Sequence, residues 1–251
     1  MDIFIVASIA AMLLFIFLKN RVVGGIAWAI FGVAWIIKVP YYISINDYFN
    51  ATLVILAFLF FVALAITIVT SSKYMHVFVD VTAFSALAAL VYFPFTFSTY
   101  LNQAIIELVA EQTVILANWL GIHMVRMGDT ILLNDHRIQI ILACTGIESV
   151  ALFTGATLGI KSNSSSRKLK AFMISVPIIY ILNLLRNIFV TMSFSYSWFG
   201  ENSFYIAHHI VSKILATVAL ILISLGVFKI LPELADLIFG LKEALADRWW
   251  H

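Results

Sequence analysis

Ala51–Thr70 reads ATLVILAFLFFVALAITIVT and contains no charged side chain. A helix needs about 20 such residues to cross the roughly 30 Å hydrocarbon core of a bilayer, so this stretch predicts a transmembrane helix. Moving outward, the pattern repeats. Ile3–Leu18 is apolar up to Lys19-Asn20-Arg21, Val22–Val39 runs to Pro40, and Tyr74–Phe93 runs from the Ser71-Ser72-Lys73 break to Pro94. Thr145–Ile160, Ala171–Ser193 and Ile210–Ile230 continue the series downstream. Composition agrees: 63% of the 251 residues are hydrophobic and 11% are charged, against about 25% charged in a soluble domain. The chain therefore reads as an all-α polytopic bundle of about seven or eight helical segments in the cell membrane.

The same composition excludes several classes. A formal charge of +2 without a basic-aromatic groove gives no reason to expect nucleic acid. One cysteine excludes an internal disulfide and a CxxC redox or zinc site. His76, His123, His136, His208 and His209 show neither HExxH nor HxxxH spacing, so neither metal nor cofactor is expected. Asp2 stands where a signal peptide carries a basic group, and no small-residue cleavage site follows, so Ile3–Leu18 is read as the first membrane helix.

Two stretches depart from the pattern. Asn102–Val125 carries Glu107, Glu111 and Gln112, which are costly in lipid. Positions 107 and 111 share a helical face, which leaves open an amphipathic surface helix, a re-entrant element or a span facing the bundle interior. Asp129–Ile141 holds two β-prone runs, Thr130–Leu133 and Arg137–Ile140, around Asn134-Asp135. That arrangement predicts a short hairpin before the cysteine helix. Its backbone could not face lipid, so it belongs above the membrane or against protein. The chain divides accordingly into an N-terminal four-helix membrane region (1–100), an amphipathic or re-entrant helix (101–128), a catalytic membrane core (129–231) and a cytoplasmic amphipathic tail (232–251). The tail ends Arg248-Trp249-Trp250-His251, and its tryptophans are expected at a headgroup layer.

The loop Lys161–Lys170 carries Lys161, Arg167, Lys168 and Lys170, which the positive-inside rule places in the cytoplasm. Counting back with Lys19, Arg21 and Lys73 as inner loops gives an outer N-terminus and seven crossings, with parity resting on the 102–136 region. Cys144, Arg186 and the pair His208-His209 then reach the outer, extracytoplasmic level together. Lateral contacts do not follow from the sequence.

The chemistry at that level follows from residue types. Thr145-x-x-Glu148 is a capping-box pattern that predicts a helix start at Thr145. Free N–H groups near the Cys144 sulfur would then favour the reactive thiolate or hold an oxyanion, and Gly146 would leave room for approach. The alternative is an inert cysteine used as a small hydrophobe. Arg186 lies inside an apolar span, where a charge usually faces a cavity or a partner. Asn183, Arg186 and Asn187 fall three and four apart on one face. Arg186 could stabilise an oxyanion, bind a carboxylate or attract the thiolate; it could instead pair with Glu148 or snorkel outward. His208 or His209 could act as base or acid toward the cysteine, or anchor the interface. Spacing does not choose between them.

Taken together, Ala143-Cys144-Thr145-Gly146-Ile147-Glu148, Asn183-Leu184-Leu185-Arg186-Asn187 and Ala207-His208-His209, in this order and in a multi-pass setting, resemble the exosortase/archaeosortase family of membrane transpeptidases. The resemblance covers roughly residues 129–230; the compact chain, without an appended soluble domain, resembles the archaeal form. It implies a cysteine nucleophile at Cys144, with Arg186 and His208 as its partners. The position of Ser212 departs from the acidic residue and glycine that many exosortases show after the histidine. The implied substrates are exported proteins with a C-terminal motif, hydrophobic helix and basic tail. The implied reaction is thioester formation and transfer to a membrane lipid or other acceptor. Water as acceptor would make the same site an intramembrane protease. A transporter with a polar path along Arg186 and the 107/111 carboxylates is the reading from a different class.

Overall fold

The structure is a computed structural model, and it describes residues 2–162 and 164–249. The position expected for the tail tryptophans falls on Trp250 and on the side chain of Trp249, outside the described residues. In chain order the elements are α1 (Asp2–Leu18), α2 (Arg21–Ile36), α3 (Val39–Ser44), α4 (Tyr48–Thr70), α5 (Met75–Phe97) and α6 (Thr99–Trp119). Strands β1 (Val125–Met127), β2 (Thr130–Leu133) and β3 (His136–Gln139) follow, then a 3₁₀ turn at Leu142–Cys144. The remainder is α7 (Ile147–Thr154), a π-helical turn (Gly155–Gly159), α8 (Ser165–Ser195), α9 (Ser203–Tyr205), a second π-helical segment (Ile206–Val211), α10 (Ser212–Ile230) and α11 (Pro232–Trp249).

The protein is a mostly helical, multi-span membrane bundle with a small sheet. Among the described residues, five helical stretches are long and apolar enough to cross a membrane: Arg21–Ser44, Tyr48–Thr70, Met75–Phe97, Ser165–Ser195 and Gly200–Ile230. Ile3–Leu18 and Ile147–Gly159 are apolar but shorter, so the long spans number fewer than the seven or eight segments expected. Local chemistry sets the ends. Asn20 accepts from the N–H groups of Val22 and Val23 at 2.9 and 3.3 Å and opens α2. Asp47, Ser98 and Ser164 cap α4, α6 and α8 in the same way. The stop expected at Pro94 does not occur. Helix α5 runs on to Phe97, because the proline's own carbonyl still accepts from Ser98 N–H at 3.1 Å.

The described chain divides into two compact units. The first comprises residues 1–90, 158–163 and 232–251. In it α2 packs against both α1 and α4. A Cβ on Gly25 would lie 2.3 Å from Cγ2 of Val69, so glycine is what permits the close approach of α2 and α4. Buried Trp28 donates from its indole to Oγ1 of Thr82 at 2.9 Å, satisfying a polar atom inside the apolar core. Helix α11 is held at both ends. The Ser162 hydroxyl donates to Glu233 at 2.8 Å, and Asp247 accepts from Lys73 at 2.8 Å and from the Tyr74 hydroxyl at 2.5 Å. Beside Asp247 the Lys73 ammonium is held above its ordinary titration range, chiefly by that hydrogen bond.

The second unit comprises residues 91–157 and 164–231. Helix α8 is its centre, with α6, α7 and α10 packed on it. Helix α6 buries Ile106, Val109, Ala110, Thr113, Val114 and Ala117, one face at helical spacing, while Glu107 and Glu111 face Arg126 at 3.9 Å each. Two strands were expected and three form. Strands β1, β2 and β3 pair antiparallel in order, with Val125 opposite Leu132 and Leu133 opposite His136. Asn134 and Asp135 both have positive φ, +46° and +62°, as the tight turn between β2 and β3 requires. The added strand β1 is joined through Gly128 at φ +62°; three residues are too few to show an alternating pattern in sequence. Ile131 and Leu133 of the sheet, with Ile140 just after β3, share one core with α6, Cys144, Leu184 and Ile188.

Candidate active site

Cys144 closes the 3₁₀ turn that leads from the sheet into α7, and it is buried, 9% exposed. The capping box expected at Thr145 and Glu148 does not form. Gly146, at φ +75°, is the N-cap, and α7 starts at Ile147 rather than Thr145. The physical reason is the left-handed glycine: a helix cannot pass through that conformation, so the chain turns there before it coils. Thr145 still serves the turn, donating from its hydroxyl to Leu142 O at 2.7 Å and accepting from Ile147 N–H at 3.3 Å. Glu148 accepts instead from the Tyr92 hydroxyl at 3.2 Å.

Two amides from α8 hold the cysteine's backbone. Asn183 Nδ2 donates to the Cys144 carbonyl at 2.9 Å, and Asn187 Nδ2 donates to the same oxygen at 3.1 Å. They lie one helical turn apart, so both reach a single acceptor with two lone pairs. Gly146 belongs to this arrangement: a Cβ there would sit 2.9 Å from Cγ of Asn183. The glycine thus supplies both the backbone turn and the room for the Asn183 amide.

On the same helix, Arg186 Nη2 lies 3.3 Å from His208 Nε2. A guanidinium only donates, so Nε2 accepts and the ring proton belongs on Nδ1. His208 Nδ1 is buried without a hydrogen-bond partner among the described residues. The ring is stacked on Phe204 at 5.2 Å and 13°, and His209 stands edge-on to it at 4.6 Å. Both histidines lie in the π-helical segment Ile206–Val211, a geometry concentrated at functional sites. Arg186 thus meets His208, a contact that spacing does not reveal.

Of the expected site residues, the structure unites Asn183, Asn187 and Cys144 in one group and Arg186 with His208 in another. Among the described residues no hydrogen bond reaches the Cys144 thiol, and no cluster of metal-ligating side chains occurs. Sequence reasoning passed over a cavity of about 480 Å³ between α8 and α10, whose lining includes Gly146, Asn183, Arg186 and Ser212. Cys144 does not line it. Ser212 is 2% exposed and its hydroxyl has no partner among the described residues. A hydroxyl at the start of an apolar span was the available signal.

The chain is a multi-span membrane bundle in which the helix that carries Arg186 also holds the Cys144 carbonyl through two asparagines. The chain belongs to the transmembrane exosortase family, whose profile matches residues 2–225. It is 34% identical over 187 residues to archaeosortase A of Haloferax volcanii, covering 64% of this chain and 59% of that one. It is 26% identical over 183 residues to archaeosortase A of Natronomonas pharaonis, covering 61% and 58%. The matched chain thus spans less than two thirds of either relative. No solved structure gives a significant match.

Proposed function

We propose that the protein is a membrane cysteine transpeptidase that cleaves the C-terminal sorting signal of exported proteins, with residues 129–231 as its catalytic core. The observation that carries this reading is the pair of amides, Asn183 and Asn187, fixing the Cys144 carbonyl from the helix that also presents Arg186 to His208. Helix α8 thereby meets the Cys144 backbone through two asparagines and carries Arg186, which meets His208 on the π-helical segment Ile206–Val211, an arrangement that supports a site organised in advance of reaction. Arg186 leaves His208 Nε2, which takes the proton of the Cys144 thiol while Nδ1 keeps its own, and the sulfur attacks the scissile carbonyl. Arg186 holds the developing oxyanion. As the C–N bond breaks, the departing amine takes the proton from His208, leaving a thioester. An amine or hydroxyl of a membrane lipid or other acceptor then gives a proton to His208, attacks the thioester and restores the thiol. Thr145 and Glu148 support the turn and the start of α7.

The site opens on the extracytoplasmic side, with Lys161–Lys170 and the 232–251 tail on the cytoplasmic side, a placement supported by the basic residues of that loop. Water in place of the lipid would give an intramembrane protease with the same intermediate. Support for a transporter is weaker, because the cavity beside Arg186 is walled mostly by apolar side chains. The test is a candidate C-terminal signal peptide incubated with the membrane-reconstituted protein, with the mass of the Cys144 adduct and of the final product measured. A thioester on Cys144, absent in Cys144→Ala with helical content unchanged, is expected. Processing that survives Cys144→Ala sinks the reading.

A further inference from the structure

Arg186 sits within the long apolar helix α8 and belongs to no ion pair among the described residues. The imidazole nitrogen it meets accepts a hydrogen bond but brings no negative charge. A cation in a membrane segment is costly unless an anion or water meets it. Beside it lies the cavity of about 480 Å³, and into this opens Ser212, a buried hydroxyl with no partner among the described residues. Both polar groups lie towards the ends of α8 and α10 that residues 196–211 connect. The rest of the wall is mostly hydrocarbon, including Leu182, Ala219 and Ile223, with Ser149 and Asn183 as its other polar side chains. An unmatched cation and an unmatched hydroxyl beside an apolar pocket call for an amphiphile with an anionic head.

Charge decides which kind. An uncharged apolar helix laid against this wall would leave the guanidinium and the hydroxyl unmatched, whereas a lipid with an anionic head meets both and covers the hydrocarbon with its chain. We propose that the cavity binds one hydrocarbon chain of an anionic phospholipid, with the lipid phosphate paired to Arg186 and accepting from the Ser212 hydroxyl. The site shares Arg186 with the reaction proposed above but makes no use of the Cys144 thiol. Lipid binding and transfer therefore fail separately.

The test uses full-length Cys144→Ala protein in phosphatidylcholine nanodiscs containing a minor fraction of phosphatidic acid, or of diacylglycerol with the same chains. Retained lipids are counted by native mass spectrometry. One phosphatidic acid per chain is expected, preferred over diacylglycerol. Arg186→Gln should lower that preference at least about tenfold, the loss of one charge-assisted pair, and Ser212→Ala should lower it a few-fold. Ala219→Trp, which fills the cavity while leaving both polar groups, should abolish retention, with circular dichroism reporting on the fold of each variant. Equal retention of diacylglycerol overturns the phosphate pairing, and unchanged retention in Ala219→Trp puts the lipid outside the cavity. Release by inorganic phosphate alone removes the need for a chain. Displacement by an uncharged apolar helical peptide makes the cavity a groove for a helix instead, and overturns the proposal.

Discussion

Arg186 Nη2 stands 3.3 Å from His208 Nε2, while His209, next in sequence, packs on Tyr205 at 5.2 Å. The two histidines are therefore unequal, although nothing in their spacing distinguishes them. His208→Ala should lower processing of a signal peptide by about 10²–10⁴-fold, the usual contribution of a general acid–base group. His209→Ala should change it only a few-fold. Rates measured on both variants at matched expression decide the matter; equal losses would remove His208 from its role.

The amides on the Cys144 carbonyl should act together. Asn183→Ala and Asn187→Ala should each destabilise the second unit by about 1 kcal/mol, the net worth of one such hydrogen bond. Asn187, 4% exposed, should also leave a void. Because the two share one acceptor, the double variant should depart from the sum of the singles. Melting temperatures in a fixed detergent measure the coupling, and the alkylation rate of Cys144 reports whether the turn has loosened.

Gly146 is strained by any replacement. At φ +75°, alanine costs roughly 1–2 kcal/mol on backbone grounds alone, and its Cβ would push into Asn183. Gly146→Ala should therefore lower stability and slow processing together. Adding Asn183→Ala should relieve the clash without restoring the rate. A rate restored by the second change would show that the amide is dispensable.

The sheet should carry a pH signature. Asp129 accepts from Gln139 at 2.8 Å and from Thr130 at 2.9 Å, and these bonds, Gln139 first, hold its carboxyl below the ordinary range. A group depressed on folding stabilises fully above its unfolded pKa, near 3.9, and that stabilisation is lost as pH falls through the folded value. Amide exchange in β2 and β3 should accelerate below about pH 4 relative to Asp129→Asn, whose exchange should track intrinsic chemistry alone. Identical profiles for the two proteins would refute the linkage.

Much of the fold was legible because hydrocarbon length is a coarse and strong constraint. Ala51–Thr70 was expected as a span, and α4 runs from Tyr48 to Thr70. Asn134-Asp135 read as a turn, and both residues hold the positive φ of one. The site was legible in its residue types, not its contacts. Three- and four-residue spacing put Asn183, Arg186 and Asn187 on one face but could not say that two of them meet the carbonyl of Cys144. The Thr145–Glu148 pattern misled because a capping box and a left-handed glycine compete for the same turn, and the glycine's conformation prevailed. The cavity was invisible, since it arises where α8 and α10 fail to fill the space between them.

The π-helical segment Ile206–Val211 has a consequence for how this chain tolerates change in length. Such a segment absorbs one surplus residue locally while the helices on either side keep the register of an uninterrupted α-helix. Removing one residue between 206 and 211 should tighten the turn and leave Ser212–Ile230 facing as before. Removing one anywhere in Ser212–Ile230 would swing everything beyond it by about 100°. The segment that carries the twin histidines is thus the part of this helix where a change of one residue in length costs the downstream register least.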